Sequence, residues 1–166
     1  AKNLKLTNYH ELASRAAALS AELKEKEREI SSLEAEIAAS KTADLMKDAK
    51  QIGGVRLVTA DIGEAGADAL RSLCDKALES GDDIIAVFAG KNAEKGTASF
   101  ACRVGKKAIE CGAHAGNIVR EVARVAGGAG GGKPDSAMAG AKDDSKIPEA
   151  LKKASEIVGA MLLGKR

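Results

Sequence analysis

Residues 127–141 read Gly-Gly-Ala-Gly-Gly-Gly-Lys-Pro-Asp-Ser-Ala-Met-Ala-Gly-Ala, and this stretch decides how the rest of the chain is interpreted. Five of its first six residues are glycines, which bury no side chain, so we expect no regular element there. A bare backbone can approach a ligand closely, and that ligand is often an anion. A flexible glycine-rich linker is the alternative. The Lys133-Pro134-Asp135 segment that follows is typical of a rigid turn, which favours an ordered site.

The composition predicts a globular domain with an appendage, because the chain has 166 residues and 45% of them are apolar. With two Phe, one Tyr and no Trp, the core must be aliphatic and rich in alanine. A net charge of +2 excludes a bulk polycation. The chain starts with Ala rather than Met, so we expect a piece of a longer protein.

Cellular location is predicted from two features. No apolar run approaches the ~20 residues that span a bilayer, and no signal peptide is evident, so we expect a cytoplasmic protein that does not enter membranes. The cysteines are odd in number and form no CxxC pair. We therefore expect buried, reduced thiols at Cys74, Cys102 and Cys111.

Residues 7–50 are predicted to form a long helix, since they contain no Gly or Pro and are rich in strong helix formers. At 1.5 Å per residue this helix would be about 65 Å long. Its seam has the 4-3 spacing of a coiled coil or a helical hairpin. The seam comprises Leu12, Ala16, Leu19, Leu23, Lys26, Ile30, Leu33 and Ile37. A second copy or sequence upstream would cover this stripe; a helix lying on its own domain is disfavoured by the length.

Beyond this arm, the pattern alternates between strands and helices. Gly53-Gly54 is interpreted as the end of the long helix. We predict strands over 55–61, 83–90, 95–104 and 137–141, and helices over 64–79, over 115–126 and from Pro148 onward. The fold class is therefore α/β: a compact domain over 53–166 with a small mixed sheet and packed helices, preceded by a helical arm over 1–52.

Charge is concentrated next to the glycines. Residues 102–133 hold 6 basic and 2 acidic side chains, net +4. A solvated surface is the alternative to a phosphate-binding site, but few aromatic residues are available to stack unpaired bases, which favours recognition of a nucleic-acid backbone and its shape. The predicted phosphate-binding residues are Lys106, Lys107, Arg120, Arg124 and Lys133, with Gly128, Gly130, Gly131 and Gly132 allowing close backbone approach.

Catalytic and metal-binding patterns are weak. Gly127 and Gly132-Lys133 have the spacing of a P-loop, but Pro134 stands where a Ser or Thr hydroxyl would bind Mg²⁺. His10 and His114 are the only histidines and form no metal-binding pattern. Cys111 precedes His114 by three residues, which is a weak indication of a Cys–His pair. We predict no catalytic residue, metal or cofactor in this chain.

Residues 127–140 resemble the signature of the C-terminal domain of alanyl-tRNA synthetases, also called the DHHA1 domain, which typically reads GG-x-GGG-[RK]-PD-x-AQ-x-G. The resemblance extends over about 51–166, and a long helix commonly precedes the domain. This chain departs from the pattern at three positions. Lys133 stands where Arg is common, Met138 replaces the usual Gln, and Ala141 replaces a frequent Gly.

The resemblance implies a parent enzyme that joins alanine to tRNA(Ala) and clears mischarged products, with ATP, Mg and Zn bound by its other domains. The module would hold the tRNA elbow, bridge the aminoacylation and editing domains, and self-associate through the arm in some members. Two alternatives remain. One is the DHHA1 module of a DHH-type phosphoesterase, whose glycines usually run into His; the other is a coiled-coil dimerisation scaffold that does not bind RNA.

Overall fold

A computed structural model describes Arg15, residues 18–23, Glu25 and residues 44–92 and 95–164. The chain divides into two compact units, Ala1–Ala38 and Ala39–Arg166. The described residues of the first unit are helical and exposed, including Leu19 and Leu23 of the predicted seam. The other seam positions, and with them the choice between coiled coil and hairpin, lie outside the described residues. The domain limits 1–52 and 53–166 stay a prediction.

The second unit is a mixed α/β domain, as the sequence predicts, and its sheet has six strands. Its strands lie in the order β1-β2-β3-β4-β6-β5, and only β2 and β3 pair in parallel. The strands are β1 (Lys50–Ile52), β2 (Val55–Glu64), β3 (Ile84–Asn92), β4 (Thr97–Val104), β5 (Ala129–Gly132) and β6 (Ser136–Ala141). The helices are α1 (Ala67–Leu78), α2 (Lys106–Glu110), α3 (Ala115–Val125) and α4 (Ile147–Leu163), with a 3-10 turn at Asp144–Lys146.

Helices cover both faces of the sheet, which explains the unbroken apolar run of β3. Helix α1 packs on β3 and β4, and the Cys74 thiol of α1 lies 3.6 Å from the Ala101 carbonyl oxygen. Helices α3 and α4 cover the opposite face, where the larger core contains Phe100, Ile118 and Val122. The prediction that β3 is buried on both sides is confirmed.

The predicted end of the long helix is wrong. Helical residues 44–47 are followed by a turn, and Lys50–Ile52 form β1 against β2. Gly53 and Gly54 have φ of 57° and 87°, so they form the turn of a hairpin rather than a helix terminus. Two consecutive positive φ angles are what the tight turn of a β-hairpin requires, and glycine adopts them without strain.

The glycine run also departs from expectation, because Ala129–Gly132 form strand β5 at the edge of the sheet. Together with β1 it raises the strand number from about four to six. The predicted turn after the glycines and the strand at 137–141 are present, the strand as β6. Pairing with β6 supplies the order that glycine lacks on its own.

The cysteine prediction is correct for two of the three residues. Cys74 and Cys102 are buried, but Cys111 is exposed at the end of α2. All three are free thiols. Among the described residues, no helix is both long and apolar enough to cross a membrane.

Candidate functional site

Strand β5 contains two kinds of glycine. A Cβ on Gly132 would lie 2.6 Å from Ala137 Cα, and one on Gly130 would overlap Ala139, so neither position has room for a side chain. Just before the strand, Gly128 is equally tight against Ala141. Gly131 differs, because its nearest neighbour would be Arg120 Nη2 at 3.5 Å, an ordinary contact. Three of the four predicted glycines are therefore explained by packing on β6, and only Gly131 is open.

The turn between β5 and β6 is fixed to the start of α3. Lys133 donates its backbone N–H to the Ser136 carbonyl at 2.9 Å, and the Pro134 carbonyl accepts a hydrogen bond from Ala115 N at 2.8 Å. A Cβ on Gly116 would lie 2.5 Å from the Gly132 oxygen, so α3 also needs a glycine here. Lys133-Pro134-Asp135 therefore form the predicted turn between β5 and β6, and the Lys133 side chain is exposed.

The three predicted lysines lie at one end of the sheet, where β4 ends and the β5–β6 turn begins. Val104, the last residue of β4, donates to the Asp135 carbonyl at 3.0 Å, which places the start of α2 beside the β5–β6 turn. Lys106 and Lys107 are exposed on α2. We call Lys106, Lys107 and Lys133 the lysine edge.

A carboxylate lies near one end of the lysine edge. The pKa of Asp83 is lowered chiefly by a hydrogen bond from Arg56 and to a smaller extent by the charge of Lys107. Arg56 Nη2 lies 2.7 Å from Asp83 Oδ1. Because Arg56 already pairs with Asp83, the charge of Lys107 is only partly offset.

The two predicted arginines of α3 differ in their surroundings. Arg124 Nη1 lies 3.1 Å from Glu121 Oε1, and Arg124 lines a shallow groove with Lys153 and Ile157 of α4. Arg120 instead extends to β5, beside Gly131. The two side chains therefore have different neighbours, although the i, i+4 spacing places them on one helix face.

One arginine at this surface was missed by sequence reasoning. Arg71 of α1 places Nη2 3.2 Å from the Met138 sulfur, and Met138 is the cross-strand partner of Gly131. Arg71 belongs to residues 51–101, which carry a net charge of −3. Arg71 precedes Met138 by 67 positions, and no signal in the sequence connects the two.

A further arginine, Arg103, is occupied by carboxylates. Its Nε lies 2.5 Å from Asp75 Oδ1, and its Nη1 lies 3.6 Å from Asp135 Oδ2. The Nε–Oδ1 contact lacks the angle of a directed hydrogen bond, so it is an ion pair by proximity. This network ties α1 and β4 to the β5–β6 turn. Within the described part of the chain, no cluster of three His, Cys, Asp or Glu side chains could hold a metal.

The fold and surface define a mixed α/β domain with a glycine edge strand beside exposed cations. A DHHA1 domain is matched over residues 54–160, and the chain belongs to the DHHA1 domain family. The family resemblance drawn from residues 127–140 is confirmed.

The curated relatives that the chain matches are alanine–tRNA ligases. The chain is 38% identical over 152 residues to that of Alkaliphilus oremlandii, covering 92% of this chain and 17% of the relative. It is 37% identical over 158 residues to that of Shouchella clausii, covering 95% of this chain and 18% of the relative. The chain thus spans less than a fifth of the length of these relatives.

Solved structures agree with this placement. The C-Ala domain of Aquifex aeolicus alanyl-tRNA synthetase superposes with a TM-score of 0.61 at 29% identity, over 67% of this chain and 97% of that one. A DHH-domain protein, described as a member of a family of ribosomal proteins, gives a TM-score of 0.53 at 17% identity, over 87% of this chain and 33% of that one. The second likeness concerns the fold alone.

Proposed function

We propose that this chain is the C-terminal module of an alanyl-tRNA synthetase and that it binds tRNA. The observation that carries this proposal is similarity to curated alanine–tRNA ligases over more than nine-tenths of the chain. The likeness to a C-Ala domain, which covers almost all of that domain, supports it. The catalytic steps, with their ATP, Mg and Zn, would belong to other domains of the parent enzyme.

The contacts proposed for tRNA are electrostatic. The lysine edge (Lys106, Lys107 and Lys133) and Arg120 would neutralise phosphates, and Gly131 offers backbone without a side chain. Both phenylalanines are buried in the core, so they cannot stack on bases. Folded RNA, presenting its backbone and shape, is therefore a better ligand than an unpaired strand.

The module's wider role would follow from its position in the parent enzyme. By holding the tRNA elbow it would connect the aminoacylation and editing domains in the cytoplasm, with tRNA(Ala) as the cognate partner. Leu19 and Leu23 are 52% and 61% exposed, and self-association through the helical arm would bury them. Sedimentation of the whole chain with Leu19→Glu and Leu23→Glu should then show a monomer where the unaltered chain is a dimer. A monomer in both cases removes self-association from the proposal.

The test of tRNA binding is a salt series. If phosphates are contacted, log K should fall linearly with log[salt], by roughly 0.7–0.9 for each phosphate neutralised. Replacing Lys106, Lys107, Arg120 and Lys133 together with Ala should weaken binding and flatten the slope. Lys152→Ala, on the exposed side of α4, is the control and should leave both unchanged. Affinity that survives the combined substitution would show that the site is elsewhere, and a chain that binds no tRNA would favour a scaffold role.

A further inference from the structure

Two arginines from different helices meet over one cross-strand pair. Gly131 of β5 is paired with Met138 of β6. Arg71 Nη2 of α1 lies 3.2 Å from the Met138 sulfur, and Arg120 Nη2 of α3 lies 3.5 Å from where a Gly131 Cβ would stand. Cross-strand partners are only about 4.5–5.5 Å apart between Cα atoms. Arg120 belongs to α3, which packs on the opposite face from α1, and it reaches Gly131 at the edge strand β5. Each guanidinium group therefore lies beside one member of this cross-strand pair.

Among the described residues, no helix packs over this area on the face of the sheet where α1 covers β3 and β4. Ala137, Ala139 and Ala141 of β6 are buried against α3 and α4, so the alternate residues point away from that core. Gly140 is exposed, and Met138 is only half-buried. Helix α1 packs mainly on β3 and β4 and reaches β6 through Arg71. Apart from Met138, the surface between the arginines is backbone and small side chains.

The charges of the two arginines are not neutralised locally. Asp75, four residues after Arg71, pairs with Arg103 at 2.5 Å. Glu121, next to Arg120, pairs with Arg124 at 3.1 Å. Within residues 44–92 and 95–164, no carboxylate forms an ion pair with Arg71 or Arg120. The Met138 sulfur is a weak, uncharged acceptor, so it orients Arg71 without cancelling its charge.

We propose that Arg71 and Arg120 together hold one phosphate group of the RNA backbone over the Gly131–Met138 pair. This inference rests on the proposed tRNA-binding function and adds Arg71 to it. A guanidinium presents a planar fork of N–H donors to phosphate oxygens at about 2.7–2.9 Å. One fork beside Met138 and one beside Gly131 can reach a single phosphate from two sides. The missing side chain at Gly131 lets the phosphate approach the sheet.

The test is a double-mutant cycle on tRNA affinity in the full chain, with Arg71→Ala, Arg120→Ala and both together. Each single change should weaken binding about tenfold. The double change should weaken it by much less than the hundredfold product, because the same phosphate contact is lost only once. The salt slope should fall by about 0.7–0.9 in each single variant and no further in the double variant. If the double variant instead loses affinity by the full product of the two single losses, and its salt slope falls by twice as much, the two arginines do not share a phosphate.

Arg71→Lys keeps the positive charge but removes the planar fork of N–H donors. It should bind several-fold more weakly than the unaltered chain, since an ammonium cannot present paired donors. We call the two arginines holding one phosphate the arginine clamp. An Arg71→Lys variant that binds tRNA as tightly as the unaltered chain would contradict this clamp. Lys152→Ala is the control for charge loss elsewhere, and circular dichroism confirms that each variant is folded. Binding that Arg71→Ala leaves unchanged removes the clamp alone, whereas an unaltered chain that does not bind tRNA removes the clamp and the proposed function together.

Discussion

Gly130 and Ala139 are cross-strand partners that approach so closely that a Cβ on Gly130 would overlap the Cβ of Ala139. The neighbouring Gly131 has no such contact. The glycines of this block therefore have two different roles. Gly128, Gly130 and Gly132 let the chain pack closely against β6, whereas Gly131 has no close neighbour at the position of a Cβ. Only Gly131 belongs to the proposed RNA-binding site.

Alanine substitutions should separate these two roles. Gly130→Ala forces β5 away from β6 and should lower the free energy of unfolding by about 1–3 kcal/mol, as overpacking does. Gly131→Ala meets only the end of a flexible arginine and should cost less than about 1 kcal/mol. Urea unfolding followed by circular dichroism measures both. Equal losses in the two variants would mean that β5 does not pair with β6 in this register.

The sequence predicts the elements that carry a strong periodic or apolar signal. Strand β3, with its run from Ile84 to Phe88, and helix α3, with Ile118 and Val122 on one face, are examples. Strand β5 could not be predicted, because four residues of Ala and Gly have no pattern and gain order only from β6.

The turn at Gly53 and Gly54 provides a second test, of strand β1. Gly54 has φ of 87°, and no atom lies within 4 Å of a Cβ placed there, so only backbone strain opposes a side chain. Gly54→Asn should be tolerated better than Gly54→Val, by about 1 kcal/mol or more, since Asn adopts positive φ more readily. Thermal unfolding of the two variants compares them. A helix continuing through this position would give no such preference for Asn.

The candidate site was predictable only in part. Lys133 lies in the glycine motif, and Lys106 and Lys107 follow a strand whose end lies nearby, so local sequence was sufficient for the lysine edge. Arg71 and Met138 are brought together by the position of α1 over the sheet, which is a tertiary effect. The pairing of Arg124 with Glu121, which distinguishes it from Arg120, could not be predicted from their spacing.

Thiol reactivity should distinguish the three cysteines. Burial raises the pKa of Cys74 to about 12 and that of Cys102 well above its usual value, so both remain protonated and inaccessible. Cys111 is exposed. A thiol reagent at pH 8 should therefore modify one cysteine per native chain and three after denaturation. Mass spectrometry counts the adducts. Cys111→Ser should abolish the native reaction, and a residual fast adduct would show that Cys74 or Cys102 is accessible.

The Arg56–Asp83 pair predicts how stability responds to acid. Arg56 lies 27 positions before Asp83 and donates to it through Nε at 2.9 Å and Nη2 at 2.7 Å, which joins the start of β2 to the loop before β3. The hydrogen bonds from Arg56 lower the pKa of Asp83, with Lys107 as a smaller cause. Because the folded-state pKa lies below the unfolded value of about 3.9, the pair stabilises the fold above pH 4 and loses its effect as pH falls through the folded-state pKa. The side chains are 33% and 25% exposed, so solvent screening limits the contribution to about 1 kcal/mol or less.

Asp83→Asn should therefore be less stable than the unaltered chain at pH 7, and the difference in urea midpoints should shrink below pH 4. A difference that stays constant down to pH 2 would mean that the charge of Asp83 contributes nothing, and that the asparagine variant is weakened by altered packing.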